Sequence, residues 1–170
     1  MRPSHWELDA RKREATITAM RKWDSDGMRL EAASWMPGVT APSDEDPAWQ
    51  VVLEVTPGGV REHAVAVPEG AMTAVRVRQY DPSKKIFFTS AYADIGSDSG
   101  RTLWLEVNAV GLWMWVNDRC TAGRVRRNAT DLAPIAGLSA LTSLNLSSCA
   151  QLTDLAPIAG LSALTSLNLR

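Results

Sequence analysis

The chain lacks the long apolar runs that mark membrane proteins. The longest run, Val110–Val116, has seven residues and contains Gly111, whereas a membrane-spanning helix needs roughly 20 apolar residues. The first residues, Met-Arg-Pro-Ser-His-Trp-Glu, include no apolar segment of the kind that a secretory signal requires. We therefore expect a protein without a membrane segment that is located in the cytoplasm.

Histidine and cysteine are scarce, with two of each in 170 residues. Cys120 and Cys149 lie too far apart in sequence for a zinc-type spacing, so we expect no metal and no other cofactor. A disulfide between Cys120 and Cys149 is an alternative that the sequence leaves undecided. His63 follows Glu62 in a predicted strand, where adjacent side chains point to opposite faces, which argues against an acid–base pair. An enzyme is therefore the less favoured interpretation; this alternative, a bacterial effector secreted without a classical signal, predicts a cleft that gathers His63 with Glu54 or Glu62.

The chain also has almost no excess charge, since 18 basic and 19 acidic residues give a net charge of −1. This balance provides no general attraction to nucleic acid or to a membrane surface. Four arginines nevertheless lie close together in sequence: Arg119, Arg124, Arg126 and Arg127. We interpret this cluster as a solvated linker; the alternative is contact with the phosphates of nucleic acid, for which the sequence shows no element that reads bases.

What the chain does have is unevenly distributed. Residues 128–170 contain three charged residues and no aromatic residue, whereas residues 1–127 hold all seven Trp, both Phe and both Tyr. Tryptophan is large and usually has a packing or binding role. We therefore divide the chain into an N-terminal domain, residues 1–127, and a C-terminal domain, residues 128–170.

The C-terminal domain is an internal repeat. Thr130–Leu146 and Thr153–Leu169 have the same seventeen residues, TDLAPIAGLSALTSLNL, at a period of 23. Within each copy, Leu144 and Leu146, or their equivalents, alternate with small polar residues, as in a strand with one buried face. The segment resembles bacterial leucine-rich repeats of the internalin-like type, and of the cysteine-containing subtype because of Cys149. The resemblance implies a short solenoid with parallel strands. Its second repeat is incomplete.

This resemblance also implies a non-enzymatic protein-interaction module that grips partners with the polar face of its strands. Carried over to this chain, that surface consists of Ser143, Asn145, Ser147, Ser166, Asn168 and Arg170. These side chains lack the large anchors that dominate binding energy, so we expect the N-terminal domain to carry specificity. Two repeats leave the last one without a cover, which predicts self-association after Leu169.

We recognise no family in residues 1–127. Ser4 and Glu7 fit a capping box, which predicts a helix from Ser4 to about Lys22. Strand-like segments separated by turns follow from Trp49 onwards and predict an antiparallel meander or small barrel. The predicted fold class is therefore α+β, with the helix and the antiparallel sheet capping the leucine-rich-repeat solenoid.

The last predicted hairpin has two apolar faces. A four-residue loop at Asn108–Gly111 would place Leu103, Leu105 and Val107 opposite Val116, Met114 and Leu112, with Trp104 opposite Trp115 and Glu106 opposite Trp113. We interpret the face with Trp104, Trp113 and Trp115 as a second core layer against the helix or the first repeat. The alternative is an aromatic recognition surface.

Overall fold

The computed structural model describes residues 4–97 and 101–170, which form two β-sheets and one α-helix. In chain order the strands are β1 (Ser4–Leu8), β2 (Met28–Trp35), β3 (Gln50–Thr56), β4 (Gly59–Glu62), β5 (Val65–Val67), β6 (Met72–Asp81), β7 (Ile86–Gly96), β8 (Thr102–Val107), β9 (Gly111–Val116), β10 (Arg119–Val125), β11 (Ser143–Asn145) and β12 (Ser166–Asn168). The helix α1 spans Arg13–Trp23, and 3-10 turns span Ala10–Lys12, Ala133–Ile135 and Ala156–Ile158. Within the described ranges, no helix is long and apolar enough to cross a membrane.

The two sheets differ in topology. One sheet is antiparallel throughout, in the order β4-β3-β2-β6-β7. The other has seven strands, in the order β12-β11-β10-β9-β8-β1-β5, and mixes antiparallel with parallel pairs. Residues 59–67 are divided between the two sheets, because β4 joins the first sheet and β5 the second.

Residues 4–8 form β1 rather than the start of a helix. Trp6 and Leu8 are buried and the residue between them is exposed, so the alternation of a strand overrides the capping pattern. The helix begins only at Arg13, after Asp9 has capped the preceding 3-10 turn by accepting a hydrogen bond from a backbone N–H. The predicted helix start is therefore wrong.

The predicted register of the β8–β9 hairpin is confirmed. Val107 pairs with Leu112, Trp104 pairs with Trp115, and Glu106 pairs with Trp113. One face of this hairpin joins the main core between the two sheets, where it meets the apolar side chains of β2, β3 and β6. Alternation and loop length were enough to specify the register because one face is wholly apolar.

Strand β10 lies where the sequence analysis placed a linker. It pairs antiparallel with β9 and parallel with β11, so the sheet runs without a break from the Trp-rich hairpin into the repeats. The interpretation of these residues as a solvated linker is therefore wrong. The segment has two charged residues and Gly123 within seven positions, and its strand conformation comes from its two neighbours rather than from its own β propensity.

The expected fold class, a helix and an antiparallel meander or barrel capping a leucine-rich-repeat solenoid, is also wrong. The described residues form one helix and two sheets, and they contain no solenoid. Each of the two repeats contributes a single three-residue strand, β11 or β12, and these strands form one edge of the seven-stranded sheet with parallel pairing. Two units are too few to wind into a coil with its own core, so they complete an existing sheet.

Two apolar clusters hold these layers together. The main core lies between the sheets and includes Trp6 and Met20. The second cluster lies on the opposite face of the seven-stranded sheet, where Trp113 and Val125 pack with Leu132, Leu144 and other residues of the first unit. The Trp-rich half of the chain, residues 1–127, and the repeats therefore share this second cluster.

Helix α1 covers the end of β8 beyond the point where β1 stops pairing with it. Its Thr16 is fully buried, and the hydroxyl accepts a hydrogen bond from the backbone N–H of Leu105 at 3.3 Å. Ile17 and Met20 on the same helix enter the main core. The helix thus protects a strand edge that would otherwise be open to pairing.

We predict that Gly123→Ala lowers the free energy of unfolding by about 2–3 kcal/mol, because a Cβ there would lie 2.1 Å from Cε3 of Trp113. Gly137→Ala is the control, since a Cβ at Gly137 meets nothing within 4 Å. The measurement is urea denaturation followed by tryptophan fluorescence. Equal denaturation midpoints for the two variants would contradict this close packing.

Candidate functional site

The seven-stranded sheet ends in an open edge at β12. We call residues 130–152 unit 1 and residues 153–170 unit 2. Three leucines of unit 2 are exposed, although their counterparts in unit 1 are buried. The exposed fractions are 0% for Leu132 against 39% for Leu155, 1% for Leu144 against 39% for Leu167, and 3% for Leu146 against 59% for Leu169. The difference arises because unit 2 covers unit 1, while no described residue covers unit 2.

Backbone hydrogen bonds connect unit 1 to unit 2. The N–H of Leu146 donates to the carbonyl of Asn168 at 2.7 Å, and the N–H of Ser148 donates to the carbonyl of Arg170 at 2.9 Å. Strands β11 and β12 pair in parallel, in the register Leu144 to Leu167. Unit 1 thus offers both a row of backbone groups and an apolar face, and unit 2 occupies both.

A ladder of threonines repeats along the same direction. The hydroxyl of Thr142 donates to the carbonyl of Thr121 in β10 at 2.9 Å, and the hydroxyl of Thr165 donates to the carbonyl of Thr142 at 3.2 Å. In the described part of the chain, the carbonyl of Thr165 accepts no hydrogen bond. The ladder therefore continues to the open edge and presents an acceptor there.

The family resemblance assigned a polar face to partner binding, and β7 contacts the part of that face that belongs to unit 1. The amide of Asn145 donates to the carbonyl of Ser90 in β7 at 2.8 Å, so this part of the face makes an internal contact. Ser143 and Ser147 are half-buried beside it. The corresponding residues of unit 2 are exposed: Ser166, Asn168 and Arg170. The sequence carried no signal that β7 would cross over unit 1.

The three hairpin tryptophans do not form one flat surface. Trp113 is buried in the second core cluster, and its Nε1 donates to Asn108 at 3.1 Å. Trp104 and Trp115 stack on each other, with ring centroids 4.8 Å apart and planes 7° apart. Lys12 lies 4.7 Å above the Trp104 ring, at a cleft of about 400 Å³ between α1 and β8. Both stacked rings are half-buried.

The carboxylates that the enzyme hypothesis assigned to His63 are held by arginines. Glu62 accepts a hydrogen bond from Arg13 at 2.8 Å, and Glu54 binds Arg61 at 2.9 Å. His63 is exposed in a cleft of about 570 Å³ that Glu62 also lines, and its ring makes no hydrogen bond within the described ranges. This arrangement orients no base toward a nucleophile.

Both cysteines are free thiols in this structure. Burial raises the pKa of Cys120 to about 12, so this group stays protonated at neutral pH. Cys149 donates to the carbonyl of Arg126 at 3.4 Å, and burial also raises its pKa. Among the described residues, no cluster of His, Cys, Asp and Glu could hold a metal ion.

Arg119 does not share a surface with the other three arginines, which line one cavity. Arg119 is exposed at the start of β10, whereas Arg124 is buried near its end. Arg126 donates from Nε to the carbonyl of Asn108 at 3.0 Å, and Arg127 is exposed. A strand rises about 3.3 Å per residue, so Arg119 and Arg126 lie roughly 20 Å apart along the chain.

We predict that Asn145→Asp destabilises the fold by about 1–3 kcal/mol, because it replaces the amide donor with a carboxylate facing the carbonyl of Ser90. Asn168→Asp is the matched control at the equivalent position of unit 2. It keeps an acceptor for the N–H of Arg170 and loses no donor contact, so we expect a change below about 0.5 kcal/mol. Denaturant titration of both variants is the measurement, and equal effects would contradict the contact with β7.

Comparisons with protein-family models, with curated proteins and with solved structures found no match for this chain. The open edge at β12 is the feature of the fold that most clearly offers a surface to another molecule.

Proposed function

We propose that the chain is a protein-interaction module that binds a partner polypeptide along the open edge at β12. One observation carries the proposal: the exposed leucines of unit 2 have the same sequence environment as leucines of unit 1 that are fully covered. An uncovered strand edge with apolar flanks is a template for strand addition. The resemblance of residues 130–170 to leucine-rich repeats, which serve in protein binding, supports the same role.

The partner that fits this edge is a segment with the pattern of the 23-residue unit. Unit 1 and unit 2 share seventeen identical residues, so the surface that unit 2 offers matches the surface that unit 1 offers. The surface of unit 1 is occupied by a unit of this pattern in parallel pairing. The same pattern on a partner chain would therefore pair with β12 and cover Leu155, Leu167 and Leu169.

A second copy of this chain fits the edge less well. A two-fold axis perpendicular to the sheet would bring two β12 strands together in antiparallel orientation. The parallel ladder of Thr121, Thr142 and Thr165 would then not continue. The side of β12 that pairs in parallel is already occupied by β11 of the same chain.

The binding energy would come from apolar burial and backbone hydrogen bonds. Covering a leucine side chain is worth about 1.5–3 kcal/mol when burial is complete. The only charged residues of unit 2 are Asp154 and Arg170, so ion pairing contributes little. We thus assign recognition to the repeat edge, in contrast to the expectation that residues 1–127 carry it.

The test is fluorescence anisotropy with the full chain and a labelled peptide that has the sequence of residues 147–170. We expect saturable binding that Leu167→Glu weakens at least about 10-fold, because the charge would face an apolar contact. The matched control is Val39→Glu, which makes the same kind of change at a 61% exposed position outside the repeats and leaves binding unchanged.

Three results would overturn this proposal. The first is equal binding of a peptide with the same residues in scrambled order. The second is an equal affinity of wild type and Leu167→Glu for the peptide. The third is a peptide-free dimer, measured by light scattering, that Leu167→Glu abolishes, since a second copy would then occupy the edge.

A further inference from the structure

A cavity of about 280 Å³ opens at the end of β10, separate from the β12 edge. Its lining includes no acidic residue and consists of Trp23, Gln79, Arg124, Val125, Arg126, Arg127 and Asn128. Three of these seven residues carry a guanidinium group. Asp24, which follows Trp23, does not line the cavity and accepts a hydrogen bond from Nε2 of Gln79 at 3.5 Å.

Arg124 is the unusual member of this lining. It is only 8% exposed, yet it forms no ion pair or side-chain hydrogen bond with any residue in the described ranges. Burial, together with the charge of Arg127, lowers the pKa of Arg124 from its usual value. A largely buried cation without a partner is costly, so such groups are normally paired. The guanidinium nitrogens of Arg124 are not among the fully buried atoms that lack a partner, so they reach the cavity.

Arg76, the other buried arginine among the described residues, shows how such a group is paired in this fold. Arg76 is 2% exposed, binds Glu31 at 2.8 Å and Asp44 at 3.3 Å, and lies 4.0 Å from the Trp49 ring centroid. Arg124 has no carboxylate in a comparable position. The fold therefore neutralises one buried arginine with its own acids, whereas Arg124 has no carboxylate partner among the described residues.

Further hydrogen-bonding groups lie around the same cavity. The guanidinium of Arg126 is fixed by its hydrogen bond to Asn108 and by Trp23, whose ring centroid lies 5.0 Å away. Arg127 and Asn128 are exposed at the mouth of the cavity and supply further N–H donors. Oε1 of Gln79 is buried without a partner and could accept from a protonated oxygen of the ligand.

We propose that this cavity binds the phosphate group of a small molecule, with Arg124 as its buried charge partner. Guanidinium groups bind phosphate oxygens with strong, directional hydrogen bonds. The site goes beyond the proposed interaction edge and does not depend on it.

The geometry favours a small ligand over a nucleic acid. A backbone phosphate of a polymer contacts exposed cations along a surface, whereas Arg124 is buried and Arg119 lies at the far end of β10. A volume of about 280 Å³ suits a phosphate or a small phosphate monoester.

The experiment measures the melting temperature and binding heat of the full chain with inorganic phosphate, with glycerol 3-phosphate and with a ten-nucleotide single-stranded DNA. Sodium chloride keeps the ionic strength constant. At a phosphate concentration about ten times the dissociation constant, we expect the melting temperature to rise by about 3–6 °C. A lower dissociation constant for glycerol 3-phosphate than for inorganic phosphate would indicate a phosphate monoester as the ligand. A lower dissociation constant for inorganic phosphate would indicate free phosphate.

Variants separate a binding role from a structural one. Arg124→Met should abolish the phosphate effect and leave the phosphate-free melting temperature equal or higher, because it removes an unpaired buried charge. Arg127→Gln, at an exposed position, should weaken phosphate binding about 10-fold. Arg119→Gln is the control and should leave binding unchanged.

The proposal is overturned by any of three results. One is a melting shift that sodium chloride alone reproduces at equal ionic strength. Another is phosphate binding that persists unchanged in Arg124→Met. The last is DNA binding more than 10-fold tighter than phosphate binding and dependent on Arg119.

Discussion

The fold depends on the backbone pairing of β10 with strands on both of its sides. On one side it pairs antiparallel with β9 of the Trp-rich hairpin, and on the other it pairs in parallel with β11 of the first repeat. Gly123 makes this possible because the ring of Trp113 lies where a Cβ would be. Through this strand the second apolar cluster joins tryptophan to the leucines of unit 1. The repeats, which could not bury a core alone, are stabilised by a sheet that already exists.

The same constraint creates the two surfaces to which we assign a role. Each unit is covered by its successor, so the leucines of unit 2 are left exposed although the sequence of unit 1 is the same. Where β10 ends, the chain turns away and leaves Arg124 beside a cavity lined by other arginines. One surface lies along the edge strand β12, and the other lies at the end of the internal strand β10.

Some of this arrangement could be predicted from the sequence and some could not. The register of β8 and β9 followed from strict alternation, because a shift by one residue would expose Leu105 and Met114. The capping pattern at Glu7 misled because burial of Trp6 decides the conformation there, and burial is a tertiary property. The strand at β10 was missed because Gly123 and the charged residues Arg119 and Arg124 interrupt the alternation of apolar and polar residues. The unpaired state of Arg124 and the contact of Asn145 with β7 depend on chain segments distant in sequence, so no local pattern reports them.

The central claim is that the repeats continue the sheet of the Trp-rich half through β10, and hydrogen–deuterium exchange of the full chain tests it most directly. We expect strong protection of backbone amides in residues 119–125 and 143–145, with protection falling toward residues 166–168 at the open edge. Exchange of residues 143–145 at the rate of an unfolded chain, while residues 119–125 stay protected, would contradict it.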